Sequence, residues 1–388
     1  MLPGVKILLD DTTVSIPSQI DDGVVGVLCW EPANSWPNYT HLLLRRPLDL
    51  TVPVSNQLSR FIDAFYSEAP EGTKLYLYKV PQTMPLHEAF NIDNPDCPAR
   101  RLIELSKGEI SMLTASYLYP PSHNYQILNG VCEQIVSTID LLDSFNQYLL
   151  INQKTPVVTI LPALRLEPTS FYLDRQTEFV GLATMEINQT TTYINLGYLA
   201  GRIARIPVQR SIMRVKDGPI RLMLQDEQAL NTNQLSLPEA EHLFSNKIIF
   251  PYRHVGLQGW YWMSDQLLSH TNYGRIQRAR VFNKAMRVVH RTLLQELSEE
   301  IPLTEEGTLP AMIVKALQAK VEAELVREMT SRGNISTDPD KPSDTGVRCY
   351  IDEKQKILNN NKLEVQVRIR PFGYSDYIEV KLGYEVIS

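Results

Sequence analysis

The chain has 388 residues, of which 43% are hydrophobic and 21% charged, and its formal net charge at pH 7 is -6. This composition is typical of a globular protein with two or three domains, and it argues against disordered and fibrous classes. The balance of 38 Lys and Arg against 44 Asp and Glu gives no reason to expect a nucleic-acid-binding protein.

The N-terminal sequence and the cysteines indicate no secretion signal and no disulfide or metal site. Neither a signal peptide nor a run of roughly 18 to 20 apolar residues is visible, so we expect a cytoplasmic product with no membrane span. No CxxC spacing occurs, which argues against a disulfide framework or a zinc site, and Cys29, Cys132 and Cys349 are expected to be buried thiols. The four cysteines are Cys29, Cys97, Cys132 and Cys349.

The first half of the chain alternates strands and helices. Residues 1–20 have the pattern of an arm, and residues 21–190 that of an α/β domain. Apolar runs predict strands at residues 24–30, 74–80, 111–119, 157–161 and 178–185. Periodic apolar residues predict helices at about residues 56–69, 99–106 and 131–150. This order predicts the α/β class, with a mixed, largely parallel sheet flanked by helices.

The next part, residues 191–375, is expected to hold a core and an α+β C-terminal domain. A helix is predicted at about residues 191–206, in which Gly197 and Gly201 lie on one face and suit close approach of another element. Residues 216–219 predict a turn between two short strands within residues 208–224. A helix at residues 238–245 and a strand at 247–250 follow. The aromatic cluster Trp260, Tyr261 and Trp262 is expected to pack in a core.

The last part begins with a long helix, predicted at residues 273–300, whose apolar stripe is Ala279, Phe282, Met286, Val289, Leu293 and Leu297. A second helix is predicted to start at Pro310 and to stop before Gly333. Strands are predicted at residues 363–370 and 376–388. The terminal one is half-buried by its alternation, and because unpaired backbone beside an apolar face is unfavourable, it should pair with something.

Motifs for enzymatic chemistry are absent from the sequence. It contains no phosphate-binding loop, no dinucleotide-binding glycine motif, no zinc-protease motif and no nucleophile elbow, and its seven histidines never occur at metal-ligand spacing. We therefore predict no catalytic residue, no cofactor and no metal. A triad assembled from distant positions stays open, because spatial adjacency is not visible in a sequence.

One group of charges stands out on the long helix. Arg280, Lys284, Arg287 and Arg291 follow spacings of four, three and four, and they are named here the basic ridge. Like charges at this spacing repel each other. A solvated face, a docking surface for an acidic protein and a nucleic-acid contact are the three readings. If the ridge docks a partner, reversing Lys284 and Arg287 should weaken binding without lowering thermal stability.

The order of several motifs resembles that of contractile tail sheath proteins from bacteriophages, tailocins and related injection systems. The resemblance covers roughly residues 190–388, and residues 21–190 match only as a variable α/β portion. The motifs are NLGYLAGRIARIPVQRSIMRVKDGPI, then GLQGWYWMSDQLLS followed by YGRIQRARVFNKAMRVVHRTLLQEL, and LEVQVRIRPFGYSDYIEVKLGYEV.

This resemblance implies a structural subunit that polymerises into a helical tube around an inner tail tube and contracts to drive it through a cell envelope. It implies arms donated to neighbouring copies, with residues 363–370 in the acceptor sheet. It also implies assembly in the bacterial cytoplasm into a virion tail or injection particle, and partners that are other copies, the inner tail tube protein, and baseplate and terminator proteins. The donated side chains would be Leu2, Val5, Ile7, Leu9, Ile378, Val380, Leu382, Tyr384 and Val386.

The basic ridge would then contact the tube or another sheath subunit. No nucleotide, nucleic acid or resting-state membrane contact is implied. Two other readings remain: an enzyme or ligand-binding α/β protein with a cleft at the carboxyl ends of its strands, and another tail or baseplate component.

Overall fold

The computed structural model describes residues 22–117, 126–185, 193–297, 299–357 and 361–382. The strands are β1 Val25–Glu31, β2 His41–Leu44, β3 Leu75–Pro81, β4 Met112–Ser116, β5 Ile127–Leu128, β6 Val131–Cys132, β7 Val158–Pro162, β8 Val180–Ala183, β9 Ile248–Ile249, β10 Pro251–Tyr252, β11 Tyr261–Trp262, β12 Val347–Tyr350 and β13 Gln366–Ile369. The α-helices are α1 Asn56–Glu68, α2 Pro98–Leu105, α3 Glu133–Tyr148, α4 Gly197–Arg205, α5 Leu224–Thr232, α6 Leu237–Ser245, α7 Ile276–Leu294 and α8 Ala311–Leu325.

Seven strands form one central sheet in the order β2-β3-β1-β4-β7-β8-β9. Every neighbouring pair is parallel except β2 with β3. Every residue of β1 is buried, as expected when helices cover both faces of a parallel sheet. The predicted fold class, a mixed and largely parallel sheet with flanking helices, is therefore confirmed.

Helices α1 and α4 pack with almost no space between their backbones. A Cβ atom built on Gly197 would lie 2.3 Å from the carbonyl oxygen of Phe61, and one on Gly201 would lie 2.3 Å from that of Phe65. The predicted close approach at the two glycines is confirmed. The predicted start of this helix at residue 191 is wrong, because α4 begins at Gly197, whose N–H is held by the side chain of Asn195 at 3.0 Å.

The segment between α4 and α6 differs from its prediction. The predicted turn is present, as a 3-10 turn at Val215–Asp217 followed by Gly218 with φ of 84°. No strand flanks it in this fully described segment, and the helix α5 follows instead. Only Asp226 and Leu230 of α5 are buried, so the helix has no apolar stripe that a sequence pattern could reveal.

The hydrophobic residues form two cores that divide near residue 280. The first core surrounds the central sheet and extends from Val24 to Ala279. The second lies between the later part of α7, α8 and the β12-β13 sheet, and includes Val288, Val321 and Val347. The first core includes residues on both sides of residue 190, because β8 and β9 are neighbours in one sheet.

The predicted burial of the thiols of Cys29, Cys132 and Cys349 is confirmed, and Cys97 is buried as well. Burial raises the pKa of each of the thiols of Cys29, Cys97 and Cys349, which makes them poor nucleophiles. Among the helices that the structure describes, none is long and apolar enough to cross a membrane.

Candidate assembly interface

The antiparallel pair β12-β13 forms a separate two-stranded sheet over the second core. One face of β13 packs Val367 and Ile369 against that core, while Gln366 and Arg368 are exposed. Residue 363 onward was predicted to be a strand, and the structure forms it at Gln366–Ile369. The strand that was predicted for the acceptor sheet therefore lies in a separate antiparallel pair and not in the central sheet.

The outer edge of β13 has unpaired backbone groups. Arg370 N–H donates to the carbonyl oxygen of Gly346 at 2.8 Å. Because bonded and non-bonded residue pairs alternate in an antiparallel ladder, Arg348 and Arg368 also exchange bonds across the pair. Val367 and Ile369 must then direct their N–H and C=O groups outward. No backbone hydrogen bond from the described residues reaches that edge.

The outer edge of β12, by contrast, is covered within the chain. The N–H group of Cys349 donates to the carboxylate of Glu322 on α8 at 2.6 Å, and that of Val347 donates to the hydroxyl of Thr345 at 3.4 Å. Only β13 therefore offers a free edge in this sheet, as far as the described residues show. An extended segment could add there with normal strand hydrogen bonds.

The chain after β13 is held to the body at three places. Arg370 pairs with Asp344. The hydroxyl of Tyr374 donates to the carbonyl oxygen of Gln209 at 2.5 Å. The guanidinium of Arg275 then pairs with both carboxylate oxygens of Asp376, with an Nη1–Oδ1 distance of 3.1 Å.

Beyond Asp376 the chain leaves the body. The described part of this C-terminal tail, residues 377–382, forms no strand, and its apolar side chains are exposed. The exposed fractions are 81% for Tyr377, 82% for Ile378, 73% for Val380 and 96% for Leu382. Residues 377–382 thus do not form the half-buried strand that the alternation predicts. Of the other predicted arm residues, Leu2, Val5, Ile7, Leu9, Tyr384 and Val386 lie outside the described residues.

The basic ridge is inside the molecule. The side chain of Arg280 is 3% exposed and donates to the carbonyl oxygens of Ile206 at 3.2 Å and Asp22 at 3.3 Å. Lys284 is also 3% exposed, and its Nζ lies 2.5 Å from Asp22 Oδ2 and 2.8 Å from Asn334 Oδ1. The predictions of a solvated face and of a tube or partner contact are therefore wrong for these two residues.

The other two ridge residues also bind their own chain. Arg287 donates to the carbonyl oxygens of Glu109, Ile110 and Pro156, the last at 2.9 Å. Arg291 lies 3.5 Å from the carboxylate of Glu328. The ridge joins α7 to the central sheet and to the helical turn that follows α8.

The physical reason is the geometry of the parallel sheet. Asp22 precedes β1, Glu109 and Ile110 precede β4, and Pro156 precedes β7, so their carbonyl groups gather at the amino ends of neighbouring strands. Buried carbonyls need donors, and an arginine can supply several at once. Burial makes the charged form of these side chains less favourable, and it lowers the pKa of Arg280 and of Arg287 to about 10.

The comparisons with known proteins bear on the whole chain. Residues 152–266 match the model for the N-terminal domain of DUF2586, and residues 272–387 match the model for the C-terminal domain of DUF2586. No curated protein matches the sequence. Among solved structures, the helical sheath of the anti-feeding prophage (AFP) in its contracted state is similar, with a TM-score of 0.64, 14% identity and coverage of 99% of each chain. The chain has the contractile-sheath fold.

Two further structures give the same result. A chain of the AFP baseplate has a TM-score of 0.61 at 13% identity, over 100% of this chain and 99% of that one. The sheath complex of PVC, an extracellular contractile injection system, in its contracted state has a TM-score of 0.58 at 13% identity, over 100% and 98%. The sheath fold therefore includes residues 21–190, which the sequence resemblance did not reach.

The sheath-fold chain has structural partners for the charged groups at the carboxyl ends of its strands. Glu31, at the end of β1, accepts hydrogen bonds from the N–H and hydroxyl of Ser55 at 2.7 and 2.6 Å. Lys79 donates to two carbonyl oxygens, those of Pro32 and Trp36. Within the described ranges, no cluster of three or more potential metal ligands occurs. These groups stabilise the fold where the enzyme reading placed a cleft.

The two tryptophans of the aromatic cluster belong to the first core, and the tyrosine between them is buried, so the predicted packing in a core is confirmed for the tryptophans. Trp260, Tyr261 and Trp262 are exposed by 4%, 8% and 1%. Sequence reasoning missed a different feature, the contact of Arg275 with Asp376, because the two residues are 101 positions apart. No periodic signal links such positions, so only the tertiary structure could reveal it.

Proposed function

We propose that this chain is the structural subunit of a contractile sheath, which polymerises into a helical tube around an inner tail tube and contracts to drive it through a cell envelope. The observation that carries this proposal is the pair formed by the exposed apolar tail and the open edge of β13. A single copy has both an exposed apolar tail and, among its described residues, a strand edge without a neighbour. Each junction between one copy and the next can pair one tail with one edge.

In this proposal the C-terminal tail of one copy adds to β13 of the next by β-augmentation. The backbone of Val367 and Ile369 supplies the edge, and Ile378, Val380 and Leu382 lie on one face of the added strand. Fully burying each such side chain is worth about 1.5 to 3 kcal/mol. Donor and acceptor are different surfaces, so the contact is head-to-tail and generates an open filament.

The sequence pattern of the N-terminal arm supports a second link of the same kind. Leu2, Val5, Ile7 and Leu9 are the side chains that we propose for it. The other proposed partners are the inner tail tube protein and the baseplate and terminator proteins, in a particle assembled in the bacterial cytoplasm. The similarity to a chain of the AFP baseplate supports association with a baseplate. Contraction would draw on two packings of different energy, without a nucleotide and without enzymatic chemistry.

Electron microscopy of the purified protein tests the proposal directly. We expect the full chain to form rings or tubes and a variant lacking residues 377–388 to remain a folded, unassembled subunit. Tubes formed by the shortened variant would contradict strand donation by this tail.

A matched pair of tail variants tests the chemistry of the contact. Ile378→Ser with Val380→Ser and Leu382→Ser removes the apolar face, whereas Glu379→Ser with Lys381→Ser changes the opposite face and keeps the backbone. We expect the first variant to lose assembly and the second to retain it. Equal assembly of the two would show that the alternation has no role.

The acceptor edge can be tested at Val367. Proline has no N–H, so Val367→Pro removes a donor that faces outward from β13, while Val367→Ala removes a similar part of the side chain and keeps the donor. We expect the proline variant to fold and not assemble, and the alanine variant to assemble. Assembly of both would place the acceptor elsewhere.

A further inference from the structure

The base of the C-terminal tail contains an arginine between two carboxylates. Arg275 lies just before α7, and its guanidinium contacts Asp265 at 3.3 Å on one side and Asp376 at 3.1 Å on the other. Its side chain is 22% exposed, that of Asp376 is 21% exposed, and that of Asp265 is 1% exposed. The arginine thus links a buried anion of the body to Asp376, which leads into the exposed tail.

The buried member of this group is rigidly placed. One carboxylate oxygen of Asp265 accepts hydrogen bonds from the hydroxyl of Ser211 and from the side-chain amide of Gln277, the latter at 2.7 Å. Its backbone carbonyl accepts from the N–H of Ile276 at 2.9 Å. Because Asp265 is held from three sides, it determines where the guanidinium of Arg275 points.

The segment that leads to the tail, residues 372–376, borders a cavity of about 620 Å³ that residues 209–211 and 213–215 also line. Phe372 and Tyr374 are half-buried, whereas the other three residues are exposed. The polar contacts of this segment with the body are those of Tyr374 with Gln209 and of Asp376 with Arg275. These two polar contacts, together with the two half-buried rings, determine its position.

We propose that Arg275 is a latch that sets the point and the direction in which the C-terminal tail leaves the subunit. This inference rests on the proposed function, because it assigns the positioning of the donated strand to one ion pair. With the latch closed, the tail starts from a defined place and samples few directions. With it open, residues 372–376 lose one of two attachments, and the tail samples more directions than a neighbour can capture.

Asp376→Asn is the primary test, because it weakens the latch without leaving the buried Asp265 unpaired. Glu379→Gln is the matched control: it makes the same charge change three residues further along the tail, where the structure shows no ion pair for that side chain. Hydrogen–deuterium exchange is measured on unassembled protein, so the readout is independent of polymerisation. For Asp376→Asn we expect the amides of Arg370 and Ser336, whose hydrogen bonds close the end of β13 where this segment begins, to exchange about five- to tenfold faster than in the wild-type chain.

In the control, exchange at these amides should stay at the wild-type rate, and Asp376→Glu, which keeps the carboxylate, should restore at least part of the protection. Unchanged exchange in Asp376→Asn would overturn the latch. Equal acceleration by Glu379→Gln would also overturn it, because net charge and not the contact would then be responsible.

The second measurement is the critical concentration for assembly. We expect it to rise about three- to tenfold in Asp376→Asn and to stay unchanged in Glu379→Gln. Faster exchange with an unchanged critical concentration would overturn the role of the latch in strand donation. If a variant lacking residues 377–388 also assembles, the proposed function fails, whereas the exchange result still reports on the latch itself.

Discussion

The basic ridge of α7 and the C-terminal tail were both predicted to face partners, and the structure places them in opposite environments. Arg280 and Lys284 of the ridge are 3% exposed, whereas Ile378 and Leu382 of the tail are 82% and 96% exposed. Charged residues are buried and apolar residues face solvent. This is the reverse of what residue type alone predicts.

The difference shows that a side chain's location depends on which groups it can satisfy. The ridge lies beside buried carbonyl groups at the amino ends of parallel strands. The hydrogen bonds that its cations donate to these carbonyls offset the hydration that the cations lose on burial. The tail has an apolar face and a free backbone, and no described surface of its own chain pairs with it. A buried charge therefore indicates a satisfied site, and an exposed apolar strand indicates a missing partner.

The largest expected effect comes from reversing two ridge charges. Lys284→Glu with Arg287→Glu would place two carboxylates against buried carbonyl oxygens and against Asp22. We expect the free energy of unfolding to fall by more than about 4 kcal/mol, or the protein not to fold. Urea denaturation followed by circular dichroism measures this. A free energy of unfolding close to that of the wild-type chain would show that the ridge is a solvated face.

Lys315→Glu is the matched control for that experiment, because Lys315 is an exposed cation on the neighbouring helix α8. We expect a change in the free energy of unfolding of no more than about 0.5 kcal/mol.

A smaller effect is expected when the charge of Arg287 is kept and its shape is changed. Arg287→Lys retains the cation but cannot reach the three carbonyl oxygens of Glu109, Ile110 and Pro156 together. We expect a loss of about 1 to 2 kcal/mol in the free energy of unfolding. Arg368→Lys, on the exposed face of β13, is the comparison, and an equal loss in both would show that geometry at the ridge is unimportant.

The tail should contribute almost nothing to the stability of a single subunit. For the triple substitution of Ile378, Val380 and Leu382 by serine, we expect the free energy of unfolding of the unassembled protein to change by less than about 0.5 kcal/mol. A loss well above that would mean that the tail packs on its own body in solution. The tail would then be packed on the subunit like the basic ridge, and the two regions would no longer differ.

The smallest expected effect is the pH dependence of the contact at the end of β13. A hydrogen bond from the backbone N–H of Asp338, together with the side chain of Arg370, lowers the pKa of Asp344 below its usual value of 3.8. A depressed carboxyl pKa stabilises the folded state above the usual value, and this contribution is lost as the pH falls through the lower folded-state pKa. Asp344→Asn should therefore destabilise the subunit at pH 7.

At a pH below the folded-state pKa of Asp344, the same substitution should have no effect, because the wild-type carboxyl is then protonated as well. Denaturation curves at the two pH values measure the difference. A substitution effect of equal size at both would show that charge is not involved.

Much of the fold could be predicted because its signals are local. The apolar runs at residues 24–30 and 74–80 became β1 and β3, and the two glycines of α4 proved to be a close helix contact. The helix α5 was missed because only Asp226 and Leu230 of it are buried. The pairing of β8 with β9 could not be predicted, because α4 lies between the two strands in the chain and no sequence window contains both.

By itself, the sequence determined most of the elements, the fold class and the apolar tail, since these follow from periodicities of two and 3.6 residues within a single segment. Only the tertiary structure decided that the basic ridge is buried, that β13 has a free edge and that Arg275 holds Asp376. Each of these is a contact, or an unpaired edge, that depends on residues brought together from distant parts of the chain. Hydrogen-bond satisfaction is a property of such three-dimensional neighbourhoods, and it overrides the location that residue type alone would favour.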